Sequence, residues 1–258
     1  MQSLFGLEGR FAVVTGGSRG IGRMIAEGLL EAGCRIVISA RKVEQVTAAA
    51  AEMSALGEVE AIPADLSTPE GCAALAAAVG ERTDRVDILV NNAGASWGEP
   101  LETYPVSGWD KVMNTNVRGV FLLTQALLPR LRAAAGPDDP ARVINVGSVD
   151  GLRVPDMETY AYSASKAAVH MLTRHLAKRL APDHITVNAI APGPFRSKMM
   201  AFALDDPEAR AAVAASVPLG RIGAPDDMAG AAIYLASRAG SYLTGAVIPV
   251  GGGIACAD

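Results

Sequence analysis

Apolar residues fall along the chain in two alternating rhythms. Short, nearly continuous apolar runs at 11–15, 35–39, 59–63, 86–90, 142–146, 185–190 and 246–250 read as strands. A strand without polar alternation is covered on both faces, the condition of a parallel sheet. Between these runs lie Ala-rich segments of helical periodicity at 20–32, 43–56, 70–81, 107–134 and 161–180. The alternation predicts an α/β fold: a doubly wound, seven-stranded parallel sheet with helices on both faces. Residues 192–226 break the rhythm, because Pro192, Gly193, Pro194, Pro207, Pro218, Gly220, Gly223 and Pro225 punctuate an excursion holding one Ala-rich helical piece. Such a length in a compact domain is expected to be a substrate lid or binding loop. The 136–140 segment reads as a helix-to-strand loop, so residues 1–258 form one expected domain.

Composition narrows the function. Hydrophobic residues make up 50% of the chain and aromatics only 5%, so the core is expected to be Ala, Val, Ile and Leu. A net charge of −4, with Lys and Arg scattered, argues against nucleic acid as a partner. Cys34, Cys72 and Cys256 lack metal or redox spacing and are expected to be reduced thiols in a cytoplasmic protein. The first residues lack the pattern of a signal peptide, and no apolar run approaches the ~18 residues of a membrane span. His170, His175 and His184 have no zinc-ligand spacing; His170 and His175 are expected on a helix surface or at a packing interface, and no metal is expected.

Residues 15–22 read Thr-Gly-Gly-Ser-Arg-Gly-Ile-Gly, directly after the first strand and opening the first helix. Glycines there let a pyrophosphate approach the backbone, and a helix N-terminus offers it free N–H groups. Gly16, Ser18, Arg19, Ile21 and Gly22 are therefore candidate dinucleotide contacts. At the end of the second strand no acid stands ready for a ribose 2′-OH. Arg41 suits a 2′-phosphate, with Arg19 and Ser39 as helpers, which favours NADP(H) over NAD. The alternative is that Arg41 caps a surface loop. Asp65 and Leu66 follow the third strand and are placed to meet an adenine, although Asp65 equally suits a helix cap. Asn92, Ala93 and Gly94 follow the fourth, where small residues admit a ribose and ring.

Tyr162 and Lys166 stand four residues apart, on one face of an expected helix, with Ser148 upstream. A tyrosine has a pKa of about 10 and exchanges protons poorly near neutrality until a nearby cation favours its phenolate. Lys166 is the expected source of that charge, and Ser148 a hydrogen-bond donor to an oxygen held beside the phenol.

Taken together, Thr-Gly-x-x-x-Gly-Ile-Gly at 15–22, Asn-Asn-Ala-Gly at 91–94, Ser148 ahead of Tyr162-Ser163-Ala164-Ser165-Lys166, and Pro192-Gly193 occur in the order of one family. Over essentially its whole length the chain resembles the short-chain dehydrogenases/reductases, with their Rossmann-type sheet. It is most similar to bacterial NADPH-dependent 3-oxoacyl reductases of the rhamnolipid-biosynthesis type, through 62–67, 92–98 and 104–109. The resemblance implies that Tyr162 is the general acid in reduction and that Lys166 lowers its pKa and holds the nicotinamide ribose. It implies that Ser148 orients the substrate carbonyl and that Asn116, rather than Asn114, holds a water in a proton relay. Tyr160 lacks a lysine four residues on. Pro192, Gly193, Phe195 and Ser197 are implied cofactor contacts, Ser197 standing where a Thr is usual; Gly251 replaces a usual Asp. Ser96, Trp97, Val154, Met157 and Met199 are candidate substrate contacts, the Met and Phe residues of the lid serving either an acyl pocket or packing.

The expected activity is reduction of a small-molecule carbonyl, foremost a 3-oxoacyl thioester on a carrier. The alternatives are a sugar or polyol (gluconate-type) dehydrogenase and a catalytically silent NADP-binding regulatory protein. The two long helices resemble those that assemble the family into homotetramers.

Overall fold

The structure, a computed structural model, describes residues 2–256, apart from the side chains of Gln2, Ser3, Met199, Phe202 and Ala203. Seven parallel strands run in the order β3-β2-β1-β4-β5-β6-β7. They are β1 (Phe11–Thr15), β2 (Arg35–Ala40), β3 (Val59–Pro63), β4 (Ile88–Asn91), β5 (Ala141–Val146), β6 (Ile185–Pro192) and β7 (Val247–Val250). The central strands β1, β4, β5 and β6 are buried at every position, as continuous apolar runs require. Sequence order reverses between β1 and β4, which opens a crevice at the carboxyl ends of these strands.

The helices of eight residues or more are α1 (Gly20–Glu31), α2 (Val43–Met53), α3 (Pro69–Gly80), α4 (Val106–Met113), α5 (Gly119–Ala134), α6 (Tyr160–Leu180), α7 (Pro207–Ser216) and α8 (Pro225–Ala236). One layer of core joins α1, α2 and α8 to the sheet through Ile25, Leu29, Met53 and Met228. The other joins α3, α5 and α6 through Leu75, Leu123, Leu127 and Val187. The predicted 107–134 helix is two helices joined by a π-helical turn, Asn114–Arg118. The excursion after β6 holds α7, and α8, whose pattern had gone unread, packs on α1. Cys34 and Cys72 are buried and Cys256 is exposed.

The fourth strand begins two residues later than its apolar run because Asp87 turns its carboxylate onto the Phe11 amide at 2.9 Å. Asp87 is the centre of an ionic group at the amino end of the sheet. Arg85 reaches its Oδ1 at 2.5 Å, and Arg10 lies 3.8 Å from Oδ1 while bonding Asp139 at 2.5 Å. Arg142 of β5, 1% exposed, donates to the carbonyls of Pro140 and Ser237 and lies 3.7 Å from Asp139. No described helix is long and apolar enough to cross a membrane.

Candidate active site

The loop from β1 to α1 turns through left-handed backbone at Gly16 (φ 66°) and Gly20 (φ 55°), where a side chain would be strained. A Cβ at Gly22 would lie 2.3 Å from Asn92 Nδ2, so loop and asparagine interlock. Asn92 Nδ2 donates to the Thr15 carbonyl at 2.8 Å, and Thr15 Oγ1 accepts from the amides of Asn92 and Ala93 at 2.9 and 3.0 Å. Thr15, unread in the sequence, thus ties β1 to β4 across the switch point. No side chain caps α1, leaving its first N–H groups open to an anion.

Ser39, 1% exposed, accepts the Gly16 amide on its carbonyl at 2.7 Å, and its hydroxyl is buried without a partner. Arg19 and Arg41 are exposed beside it, and neither pairs with a carboxylate among the described residues. An uncapped helix end, an unpartnered hydroxyl and two free guanidiniums fit a phosphorylated dinucleotide. Asp65 does not cap α3: Thr68 does, accepting the Gly71 amide at 3.0 Å. Asp65 instead accepts from Ser67 N and Oγ at 3.0 and 2.7 Å. Burial pushes its carboxyl upward, but the Ser67 bonds outweigh it and hold the pKa below the usual range. Leu66, a candidate adenine contact, has its side chain buried in the core.

Tyr162 and Lys166 share one face of α6, and Ser148 leads the turn Val149–Gly151 that follows β5. Ser148 Oγ accepts from the Asp150 amide at 3.1 Å and faces the phenol. Lys166, 5% exposed, donates to the Val146 carbonyl at 2.8 Å, and its Nζ lies 5.5 Å from the Tyr162 ring centroid. Burial lowers the Lys166 pKa to about 8. The expected depression of the phenol by Lys166 is not what this arrangement produces. Burial drives Tyr162 up to about 12, with Ser148 opposing and the Asp150 charge reinforcing the rise. At neutral pH the phenol is a full proton store.

Asn116, 1% exposed, sits in the π-helical turn. Its Oδ1 accepts from Ala95 N at 2.8 Å, and its Nδ2 donates to Ala95 O and Ser165 Oγ, both at 2.9 Å. Ser165 Oγ donates to the Tyr162 carbonyl at 2.7 Å. Asn116 therefore joins the loop carrying Gly94 to the helix carrying Tyr162. Both its N–H groups are committed, and only an Oδ1 lone pair is left for the expected water.

On the substrate side, Val154 is 88% and Met157 42% exposed at the cleft rim, and Ser96 and Trp97 are half-buried. The Trp97 ring is wedged on α4: a Cβ at Gly108 would lie 2.8 Å from it, and Lys111 Nζ is 5.0 Å from its centroid. Phe195, expected at the cofactor, instead buries its ring against Gly223, where a Cβ would meet it at 2.2 Å. Ser197 approaches the nucleotide loop, its Cβ 3.1 Å from where Gly20 would place one. Gly193 packs on Gly251, and a Cβ at 251 would press Val149 and Ile254 at 3.1 Å, so this departure from the family belongs to a tight backbone contact beside the Ser148 turn. The side chain of Met199 lies outside the described residues. His170, expected at a helix surface or a packing interface, is 3% exposed and takes the second of these, beneath that same turn.

A family model described as enoyl-(acyl carrier protein) reductase matches residues 16–255. The chain is 56% identical over 253 residues to the rhamnolipids biosynthesis 3-oxoacyl-[acyl-carrier-protein] reductase of Pseudomonas aeruginosa, covering 98% of this chain and 99% of the relative. It superposes on the Pseudomonas aeruginosa RhlG/NADP active-site complex with a TM-score of 0.96 and 56% identity, covering 99% of this chain and 100% of the other. More distantly, it resembles a Burkholderia cenocepacia gluconate 5-dehydrogenase in complex with NADP and tartrate, at 33% identity and a TM-score of 0.91, covering 100% of this chain and 99% of the other.

Proposed function

The chain belongs to the short-chain dehydrogenase/reductase family, and from that premise we propose that it is an NADPH-dependent reductase of 3-oxoacyl thioesters, acting on the CH–OH/carbonyl couple. The observation that carries the reading is the meeting of Ser148, Tyr162 and Lys166 at the sheet edge that also holds the glycine loop and Ser39. Residues 1–258 act as one domain, with 192–226 as the lid over its cleft.

The glycine loop, Ser39, Arg41 and Asn92 to Gly94 would hold NADPH, which when bound would supply the hydride for the carbonyl carbon. Ser148 donates a hydrogen bond to the carbonyl oxygen and fixes it beside Tyr162. The phenol, fully protonated at neutral pH, delivers its proton to that oxygen as charge develops. The phenolate so formed lies beside the Lys166 ammonium, whose charge stabilises it once the proton has left. A carbonyl of strand β5 and the Asn116 ties keep Lys166 and Tyr162 in register for the next cycle.

The exposed apolar side chains of Val154 and Met157 support an acyl thioester over a polyol. The gluconate-type reading keeps the same proton donor and draws on the 33–36% identical sugar-acid relatives. NADPH oxidation separates the two: turnover of a 3-oxoacyl thioester and none of a keto-gluconate is expected, and the reverse overturns the assignment. Arg41→Ala is expected to weaken NADPH binding about tenfold or more and to leave NADH binding unchanged, measured by fluorescence titration.

The exposed apolar side chains of α4, α5 and α6, among them Trp109, Phe121 and Met171, support a homotetramer. Light scattering that returns a monomer would refute the assembly.

A further inference from the structure

His170 follows Lys166 by four residues and Tyr162 by eight, on the same face of α6. Its imidazole is buried without a hydrogen bond of good geometry, and its one polar contact on the facing turn is with the Gly151 backbone. The ring fills the slot under the Ser148 turn. A Cβ on Gly147 would lie 2.1 Å from Nε2, and one on Gly151 would lie 2.9 Å from Cε1. The glycines on either side of Ser148 thus rest directly on this one ring, and each is small enough to let it in. Packing alone does not call for an imidazole here, since a leucine fills similar volume without burying polar ring nitrogens that lack well-formed hydrogen bonds.

The groups that face the ring explain its neutrality. Lys166 and Arg174, both cationic, act on it from its own helix. The turn packed against it presents Gly147 and Gly151, and the Ile190 carbonyl of β6 closes the slot beside Gly147. Asp150 belongs to the same turn, but its charge is felt by Tyr162 and Arg153. Burial, then the Lys166 charge, lower the pKa of His170 to about 4.

We propose that His170 is a positioning residue: the neutral ring holds the Gly147–Gly151 turn, and with it Ser148, against Tyr162, and uptake of a proton releases that turn. An imidazolium in the slot would stand beside an ammonium, with no carboxylate to bond, and reaches water only by leaving. Ser148 then loses its fixed place, and a displacement of about 1 Å is enough to lower turnover on the order of a hundredfold. The consequence is a loss of carbonyl reduction in acid that does not come from the proton donor, because Tyr162 is protonated throughout that range. The sign for stability follows from linkage. A histidine whose folded pKa lies below its unfolded value of 6.5 contributes full stability above 6.5 and loses it as pH falls towards 4.

The inference rests on the carbonyl-reductase reading only for its kinetic arm. In the full-length protein, the His170 Cε1 proton followed by NMR should not titrate above pH 5. The urea midpoint of the wild type should fall between pH 6.5 and 4, and the midpoints of His170→Gln and His170→Leu should fall distinctly less. In reduction assays the wild-type kcat should fall by about half by pH 4 and by about tenfold by about pH 3 at unchanged KM for NADPH, and His170→Gln should flatten the drop. Titration of His170 near pH 6.5 would overturn the proposal, as would acid profiles of stability and kcat that coincide for wild type and both variants. Because the NMR and urea arms need no substrate, a wrong carbonyl class leaves them intact, whereas a wrong role for His170 removes them.

Discussion

Strand β5 carries a buried cation at each end, and the two are treated in opposite ways. At its amino end Arg142, 1% exposed, shares a group with Asp87, Asp139 and Arg10 and donates to two carbonyls. Burial lowers its pKa to about 10, against the pull of Asp139, which leaves it charged at any working pH. At the carboxyl end Lys166, 5% exposed, has one carbonyl bond and no carboxylate, and burial lowers it to about 8. A buried charge without a counter-ion is costly, so its persistence at one end alone marks where a passing anion is expected. The paired ions hold the sheet; the cation without a counter-ion is kept for chemistry, with the buried ring of His170 near it.

The comparison breaks most sharply at Tyr162. Tyr162→Phe should lower kcat by about a hundred- to ten-thousandfold, the usual effect of losing a general acid, with NADPH binding and thermal midpoint near the wild type. Asp87→Ala is the mirror experiment. It leaves Arg10, Arg85 and the Phe11 amide without their acceptor and should cost about 3–5 kcal/mol in urea unfolding, while kcat of the folded enzyme stays unchanged. A comparable loss of turnover would show that the two ends are not independent.

Lys166→Met makes the finest distinction. It should abolish turnover and raise stability at pH 7 by at most about 3 kcal/mol, because it removes a desolvated ammonium. Below pH 8 both folded and unfolded wild-type chains hold that proton and the penalty is complete. As pH rises from about 8 towards 10.5 the unfolded chain binds the extra proton, so wild-type stability should climb and the methionine variant should lack that climb.

The sheet was readable in the chain because each apolar run needed both faces covered, and the motif glycines fell where the strands end. What escaped depends on contacts far apart in sequence. Nothing near Val86 shows that Asp87 will bind the Phe11 amide and delay β4, and nothing near Phe195 shows that Gly223 will receive its ring. Trp97 looked like a pocket wall until Gly108 drew it onto α4. The Lys166 charge was expected to set the phenol's pKa, but that balance turns on burial, which no motif encodes. His170 read only as a residue of a helix surface or packing interface, and the Ser148 turn that rests on it lies in another part of the chain.

The π-helical turn at Asn114–Arg118 keeps the phase of everything after it. One residue advances an α-helix by about 100°, and a π-turn absorbs one extra residue. Removing that residue would let α4 and α5 run on as one regular helix, with Leu123, Leu127 and Leu131 still buried on the sheet, but without the wide turn that carries Asn116 to Ala95 and Ser165. The irregular turn is therefore a spare tooth in an otherwise regular gear, and a single-codon deletion would spare the core while disengaging the cleft.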